Sequence, residues 1–291
     1  MDKTILWTAL VTPFDEHGVV DYDSLEALLR KQEEAGNGVL ILGSTGEGLA
    51  FDTEEKKQIV AFTASFKLNV PVMVGIGGSQ LNKQIEFIKH CNRCPIDAYL
   101  LVTPLYAKPG LEGQFEWFSQ LMEATDRPCM IYNVPSRTGV KLRPEVPARL
   151  AQKYDHILGV KEASGSVDEF KEFRQHAPTV DFYSGDDGLT PAFAKEGAVG
   201  LVSVASNVWP KETHKYVEHC LEGNTDTLFP LWKDATDQLF NGPNPVPAKA
   251  LLHEKGWIST NTVRPPLHLG DLGSLEKLKE ADAAISNWYN S

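Results

Sequence analysis

Short apolar runs recur along the first two-thirds of this chain, each ending in small, hydroxylic or glycine residues. They cover residues 6–11, 39–42, 70–74, 98–102, 130–131, 157–160, 180–183 and 199–204. Continuous apolar runs of this length suit strands buried on both faces, as a parallel sheet requires. Amphipathic helical patterns fill the intervals. Leu25, Leu28 and Leu29 share one helical face, as do Phe115, Phe118, Leu121 and Met122. Asp52 and Glu55 read as a capping pair, and Ser166 opens a helix that carries Phe170 and Phe173. Eight strand–helix units, at about 30 residues each, predict an α/β chain folded as a (β/α)8 TIM barrel. An open doubly wound sheet is the competing arrangement, and it gives no reason for eight units.

Beyond about residue 210 the strand signal stops. Helices are predicted over 211–222, 225–240, 247–255 and 275–288. The chain therefore divides into a barrel, residues 1–209, that carries the site, and a C-terminal helical segment, residues 210–291, packed on it. No Ser/Gly-rich linker separates the two.

Composition narrows the function classes. Hydrophobic residues make up 42% and charged residues 23% of the 291, which fits a soluble globular protein. The formal net charge of −11 has the wrong sign for a general nucleic-acid binder. No apolar run reaches the roughly 18 residues of a membrane helix, and the first residues lack the pattern of a secretory signal. A cytoplasmic protein that engages neither membrane nor nucleic acid is the expectation. Four cysteines make no disulfide framework. Cys91 and Cys94 form a lone C-x-x-C at the end of a predicted helix, and read as reduced thiols.

In a barrel, the functional face is built from the carboxyl ends of the strands. Those ends hold hydroxyls, a phenol, an amine and glycines, with no histidine, so a metal-dependent mechanism is disfavoured. Lys161 ends the run 157–160 and points into the barrel mouth. Burial disfavours a lysine's ammonium form, and a neutral amine attacks a ketone to give a Schiff base. On position alone, a loop lysine paired with Glu162 is the other reading. Lys249 rivals it by its apolar flanks, as a tail-helix lysine with buried stem and exposed head. Tyr132 ends the preceding strand, where its phenol can move protons or merely fill the core. Residues 43–47, Gly-Ser-Thr-Gly-Glu, offer the Ser44 and Thr45 hydroxyls and backbone N–H groups suited to a carboxylate. Arg137 can clamp a carboxylate bidentately or stand solvated in its loop.

Taken together, these segments resemble the dihydrodipicolinate synthase/N-acetylneuraminate lyase family of pyruvate-dependent class I aldolases. The matching pieces are G-S-T-G-E (43–47), V-T-P-L-Y (102–106), Y-N-V-P-S-R-T-G (132–139), G-V-K-E-A-S-G (159–165), S-G-D-D (184–187) and P-N-P-V-P-A-K (243–249). They occur in family order across almost the whole chain. The resemblance implies Lys161 as the Schiff-base lysine, Tyr132 as proton donor and acceptor, and Thr45 and Tyr106 as the rest of a proton relay. Tyr106 would reach in from a neighbouring subunit, which implies a homo-oligomer, usually a tetramer built as a dimer of dimers. Ser44, Thr45, Arg137, Gly185 and Val202 would line the substrate site. The implied substrates are pyruvate and L-aspartate 4-semialdehyde, with no metal or organic cofactor. Arg137 and the S-G-D-D segment resemble the synthase branch, whereas Ser44 is also found in the lyase branch, which cleaves sugar acids. Where some synthases bind inhibitory lysine, this chain has Leu105, Lys56, Ser79 and Lys83, so weak or absent inhibition by lysine is expected.

Overall fold

The computed structural model describes residues 3–225 and 228–291. Eight parallel strands close into a barrel in sequence order: β1 (Leu6–Ala9), β2 (Gly38–Ile41), β3 (Val72–Ile76), β4 (Ala98–Val102), β5 (Cys129–Asn133), β6 (Ile157–Glu162), β7 (Phe182–Ser184) and β8 (Gly200–Ser203). The predicted TIM barrel is thus observed, and the open-sheet alternative falls because β1 pairs with β8.

Helices α1 (Tyr22–Glu34), α2 (Thr53–Ser65), α3 (Leu81–Cys91) and α4 (Leu111–Met122) follow the first four strands. A single turn, α5 (Pro135–Thr138), precedes α6 (Glu145–Lys153) after β5. Helices α7 (Val167–His176), α8 (Thr190–Lys195) and α9 (Pro210–Glu222) follow β6 to β8. The remaining helices are α10 (Leu228–Leu239), α11 (Val246–Glu254) and α12 (Leu275–Asn290). The helix predicted over 225–240 begins at Leu228 among the described residues; residues 226 and 227 lie outside them.

Local signals place these elements. The Asp52 carboxylate accepts from the Glu55 N–H while Glu55 reaches back to Asp52, a complete capping box at the start of α2. Ser166 accepts from the Glu169 N–H at the start of α7. Leu25, Leu28 and Leu29 are buried on α1, and Phe118, Leu121 and Met122 on α4.

Side chains alternate across each strand, so the barrel has two cores. Trp7, Leu40, Met73, Met130, Tyr183 and Val202 belong to the inner one. The outer core lies between strands and helices. The tail helices are tied in by aromatics. Tyr216 of α9 stacks on Trp232 of α10 at 4.2 Å between centroids, and Trp288 of α12 meets Trp232 edge-on at 5.5 Å.

Candidate active site

At the carboxyl ends of β5 and β6, Tyr132 pairs in register with Lys161, and Asn133 with Glu162. Alternation turns the first pair inward, where Lys161 Nζ lies 4.4 Å from the Tyr132 ring centroid. It turns the second pair outward. There the Asn133 amide donates to the Glu162 carboxylate at 2.6 Å, and the Ser164 N–H donates to it at 2.8 Å. Burial raises the Glu162 carboxyl above its ordinary range, and the Ser164 and Asn133 donors pull it back. Glu162 is therefore spoken for on the other face of the strand, which overturns the reading of Lys161 as its loop partner. Lys161 is 5% exposed and, among the described residues, its Nζ meets no carboxylate.

Gly185, just past β7, leaves room for this lysine. A Cβ there would lie 2.6 Å from Ala163 Cβ and 3.1 Å from Lys161 Cε. Its N–H donates to the Glu162 carbonyl at 2.7 Å. Val202, on β8, is buried in the inner barrel wall and paired in register with Trp7.

The turn after β2 is bracketed by two left-handed residues, Leu42 at φ 58° and Glu47 at φ 54°. A Cβ on Gly46 would approach the Leu10 carbonyl oxygen to 2.8 Å, so only glycine fits. The turn buries Thr45 and half-buries Ser44. The backbone N–H groups of both have no acceptor among the described residues, which suits a carboxylate.

A cleft of about 970 Å³ opens beside this group. Ser44, Tyr106, Tyr132 and Arg137 line it, whereas Lys161, Thr45, Gly185 and Val202 lie outside its lining. Tyr132 belongs to both groups and joins them. Arg137 is exposed on the single turn α5 and has no ion pair among the described residues. Tyr106 is 95% exposed at a left-handed φ of 67°, with its N–H donated to the Thr138 carbonyl at 3.1 Å. Of the four positions compared with a lysine-inhibition site, Leu105 and Lys56 line the cleft, and Ser79 and Lys83 are exposed outside its lining. Burial lowers the Lys56 ammonium pKa, and the nearby Asp52 opposes the shift.

Lys249 departs from the expectation of an exposed head. The residue is wholly buried, and its Nζ lies 2.5 Å from Glu47 Oε1 and 2.9 Å from the Thr262 carbonyl oxygen. The carboxylate that buries this head comes from residue 47, some two hundred positions away, so no local pattern could reveal it. Burial pulls its pKa down to about 8 against the opposing pull of Glu47. A lysine held on a carboxylate is a poor nucleophile, which counts against Lys249 as the rival of Lys161. The sequence reading also missed Asn244, whose amide donates to the Thr45 hydroxyl at 3.0 Å. Its signal was the P-N-P-V-P-A-K segment, which carries no geometry by itself. Among the described residues no group of three or more His, Cys, Asp or Glu side chains is arranged to hold a metal ion.

These features define a (β/α)8-barrel protein with a buried, carboxylate-free lysine set against a tyrosine at its functional rim. The chain belongs to the dihydrodipicolinate synthetase family, whose sequence model matches residues 3–285. It is 46% identical over 288 residues to a 4-hydroxy-tetrahydrodipicolinate synthase of Francisella philomiragia, covering 98% of this chain and 97% of that protein. A protein of the same name from Wolbachia pipientis of Culex pipiens is 44% identical over 289 residues, covering 99% and 98%. The solved structure of the 4-hydroxy-tetrahydrodipicolinate synthase from Methylacidiphilum fumariolicum SolV superposes with a TM-score of 0.91 at 34% identity, covering 98% and 96%.

Proposed function

We propose that this chain is a 4-hydroxy-tetrahydrodipicolinate synthase, condensing pyruvate with L-aspartate 4-semialdehyde on Lys161 in the diaminopimelate/lysine pathway. The observation that carries the reading is the buried Lys161 amine, free of any carboxylate among the described residues and facing the Tyr132 ring. Full-length identity of 44–46% to proteins of that name supports it.

The Lys161 amine adds to the keto carbon of pyruvate, and loss of water leaves an imine. The free N–H groups of Ser44 and Thr45 receive the pyruvate carboxylate. Tyr132, with the Thr45 hydroxyl and Tyr106, carries protons to the departing oxygen and away from the substrate methyl group as the enamine forms. The enamine carbon attacks the aldehyde carbon of the semialdehyde, whose carboxylate Arg137 holds. The semialdehyde's amine then adds to the imine carbon and expels the Lys161 amine, which closes the ring and restores the enzyme. Gly185 and Val202 form part of the wall around the lysine.

Tyr106 stands almost fully exposed in its own subunit. We read this as a residue presented to a second copy, so that the working form is at least a dimer and, by family habit, a tetramer of two dimers. Among the described residues no helix is long and apolar enough to cross a membrane, in keeping with a cytoplasmic enzyme.

Incubation with pyruvate and borohydride, followed by peptide mass spectrometry, tests the reading. The expected adduct is on Lys161, with turnover of L-aspartate 4-semialdehyde and none of N-acetylneuraminate. An unmodified Lys161 refutes it; an adduct with sugar-acid cleavage alone moves the chain to the lyase branch.

A further inference from the structure

Lys249 and Glu47 are both buried, and neither takes part in the chemistry set out above. Glu47 is a non-glycine residue in the left-handed region, at φ 54° and ψ 31°. That conformation is costly for a residue with a Cβ and persists only where its surroundings hold it. Here both carboxylate oxygens are held, Oε1 by Lys249 Nζ at 2.5 Å and Oε2 by the Arg264 N–H at 2.8 Å. Lys249 Nζ also donates to the Thr262 carbonyl at 2.9 Å, and the Arg264 guanidinium pairs with Glu55 at 2.6 and 3.0 Å. The C-terminal segment thus clamps the residue on which the turn after β2 ends.

With Glu47 held in this conformation, its N–H closes on the Ser44 carbonyl at 3.1 Å, and the Gly48 N–H closes on the Gly43 carbonyl at 3.0 Å. The N–H groups of Ser44, Thr45 and Gly46 are left without an acceptor among the described residues. A run of free backbone donors of this kind suits an anion. Charge matters as well. Glu47 stands two residues from Thr45, and a buried carboxylate there repels an incoming one unless a cation balances it. Lys249 is that cation, since the Arg264 guanidinium is engaged by Glu55. We propose that Lys249, acting through Glu47, is a positioning residue that gives this turn its preference for a 2-oxo acid over an uncharged ketone. This role rests on the Schiff-base reading above and adds to it a residue from the C-terminal helices.

Borohydride trapping at Lys161 with two ketones tests the role. Pyruvate carries the carboxylate, and methyl pyruvate presents the same ketone without the charge. Half-maximal trapping of the native enzyme should need less pyruvate than methyl pyruvate. In Lys249→Met the pyruvate requirement should rise about tenfold or more, while that for methyl pyruvate and the KM for L-aspartate 4-semialdehyde stay within about twofold. General damage to the fold would raise all three together. A pyruvate requirement that rises less than about threefold, an equal rise for methyl pyruvate, or no preference for pyruvate in the native enzyme overturns the proposal. Should Lys249→Met not fold, Lys249→Met combined with Glu47→Gln, which leaves neither charge of the pair behind, decides by the same criterion. If neither ketone leaves an adduct on Lys161 of the native enzyme, the Schiff-base reading itself fails. An adduct whose preference for pyruvate survives in the variant removes only the role of Lys249.

Discussion

Lys161 and Tyr132 face each other across the β5–β6 ladder with Nζ 4.4 Å from the ring centroid, while Glu162 and Asn133 bond to each other on the opposite face. The period of two along a strand sorts these four polar groups into a pair facing the barrel interior and a pair facing outward. Tyr132→Phe keeps the ring and its contact with Lys161 and removes only the phenol proton. The expected result is a borohydride-trapped pyruvate adduct that still forms, more slowly, and a kcat lower by about a hundredfold. Native kcat in this variant would remove Tyr132 from the proton path.

Arg137 stands apart from that pair, exposed at the cleft with no ion pair among the described residues. A guanidinium there can hold the carboxylate of the second substrate without touching the first. Arg137→Ala should therefore spare trapping by pyruvate and raise the KM for L-aspartate 4-semialdehyde about tenfold or more. Unchanged synthase kinetics would show that the carboxylate is held elsewhere.

Lys56 and Lys108 line the same cleft, and among the described residues no acidic one does. An amino acid with a cationic side chain meets like charge there and no carboxylate. L-Lysine titrated against the steady-state rate should inhibit weakly or not at all. Half-inhibition at submillimolar lysine would contradict this electrostatic argument.

Much of this was legible in the sequence, for physical reasons. Strands buried on both faces must be apolar throughout, so runs such as 98–102 announce themselves, and a capping box such as Asp52/Glu55 is written within four residues. The burial of Lys161 was legible because it ends an apolar run that leads into the barrel mouth, although position alone left a loop lysine equally open. The partner of a buried charge is not written locally. Glu47 and Lys249 are 202 residues apart, as are, nearly, Thr45 and Asn244 at 199. The orientation of Glu162 away from Lys161 depends on strand parity, and so on a boundary that composition does not define.

Asp187 offers a test by pH. Burial pushes its carboxyl from 3.8 up to about 6, against the donors Ser203, Val204 and Ala205. The folded-state value lies above the unfolded one, so between about pH 4 and 6 the native state keeps a proton that the unfolded chain has lost. The stability this residue contributes is full below about pH 4 and is lost as pH rises to about 6. Asp187→Asn removes that titration. In urea denaturation the variant should gain on the native protein by up to about 1.4 kcal/mol per pH unit across this window. A difference that does not change with pH would mean Asp187 titrates alike in both states.

The buried Lys249–Glu47 pair makes the last prediction. Both side chains are nearly excluded from solvent, and Glu47 also accepts the Arg264 N–H at 2.8 Å. Removing one partner leaves the other charge buried without compensation, at a cost of about 3–5 kcal/mol. Lys249→Met should therefore destabilise the protein by that amount in urea denaturation. Lys249→Met combined with Glu47→Gln leaves no net charge in the site, so the double variant should be more stable than Lys249→Met alone. The order matters more than the magnitude, because a pair that merely packs would give additive losses. A double variant less stable than the single one would show that Glu47 draws its compensation from Arg264 rather than from Lys249.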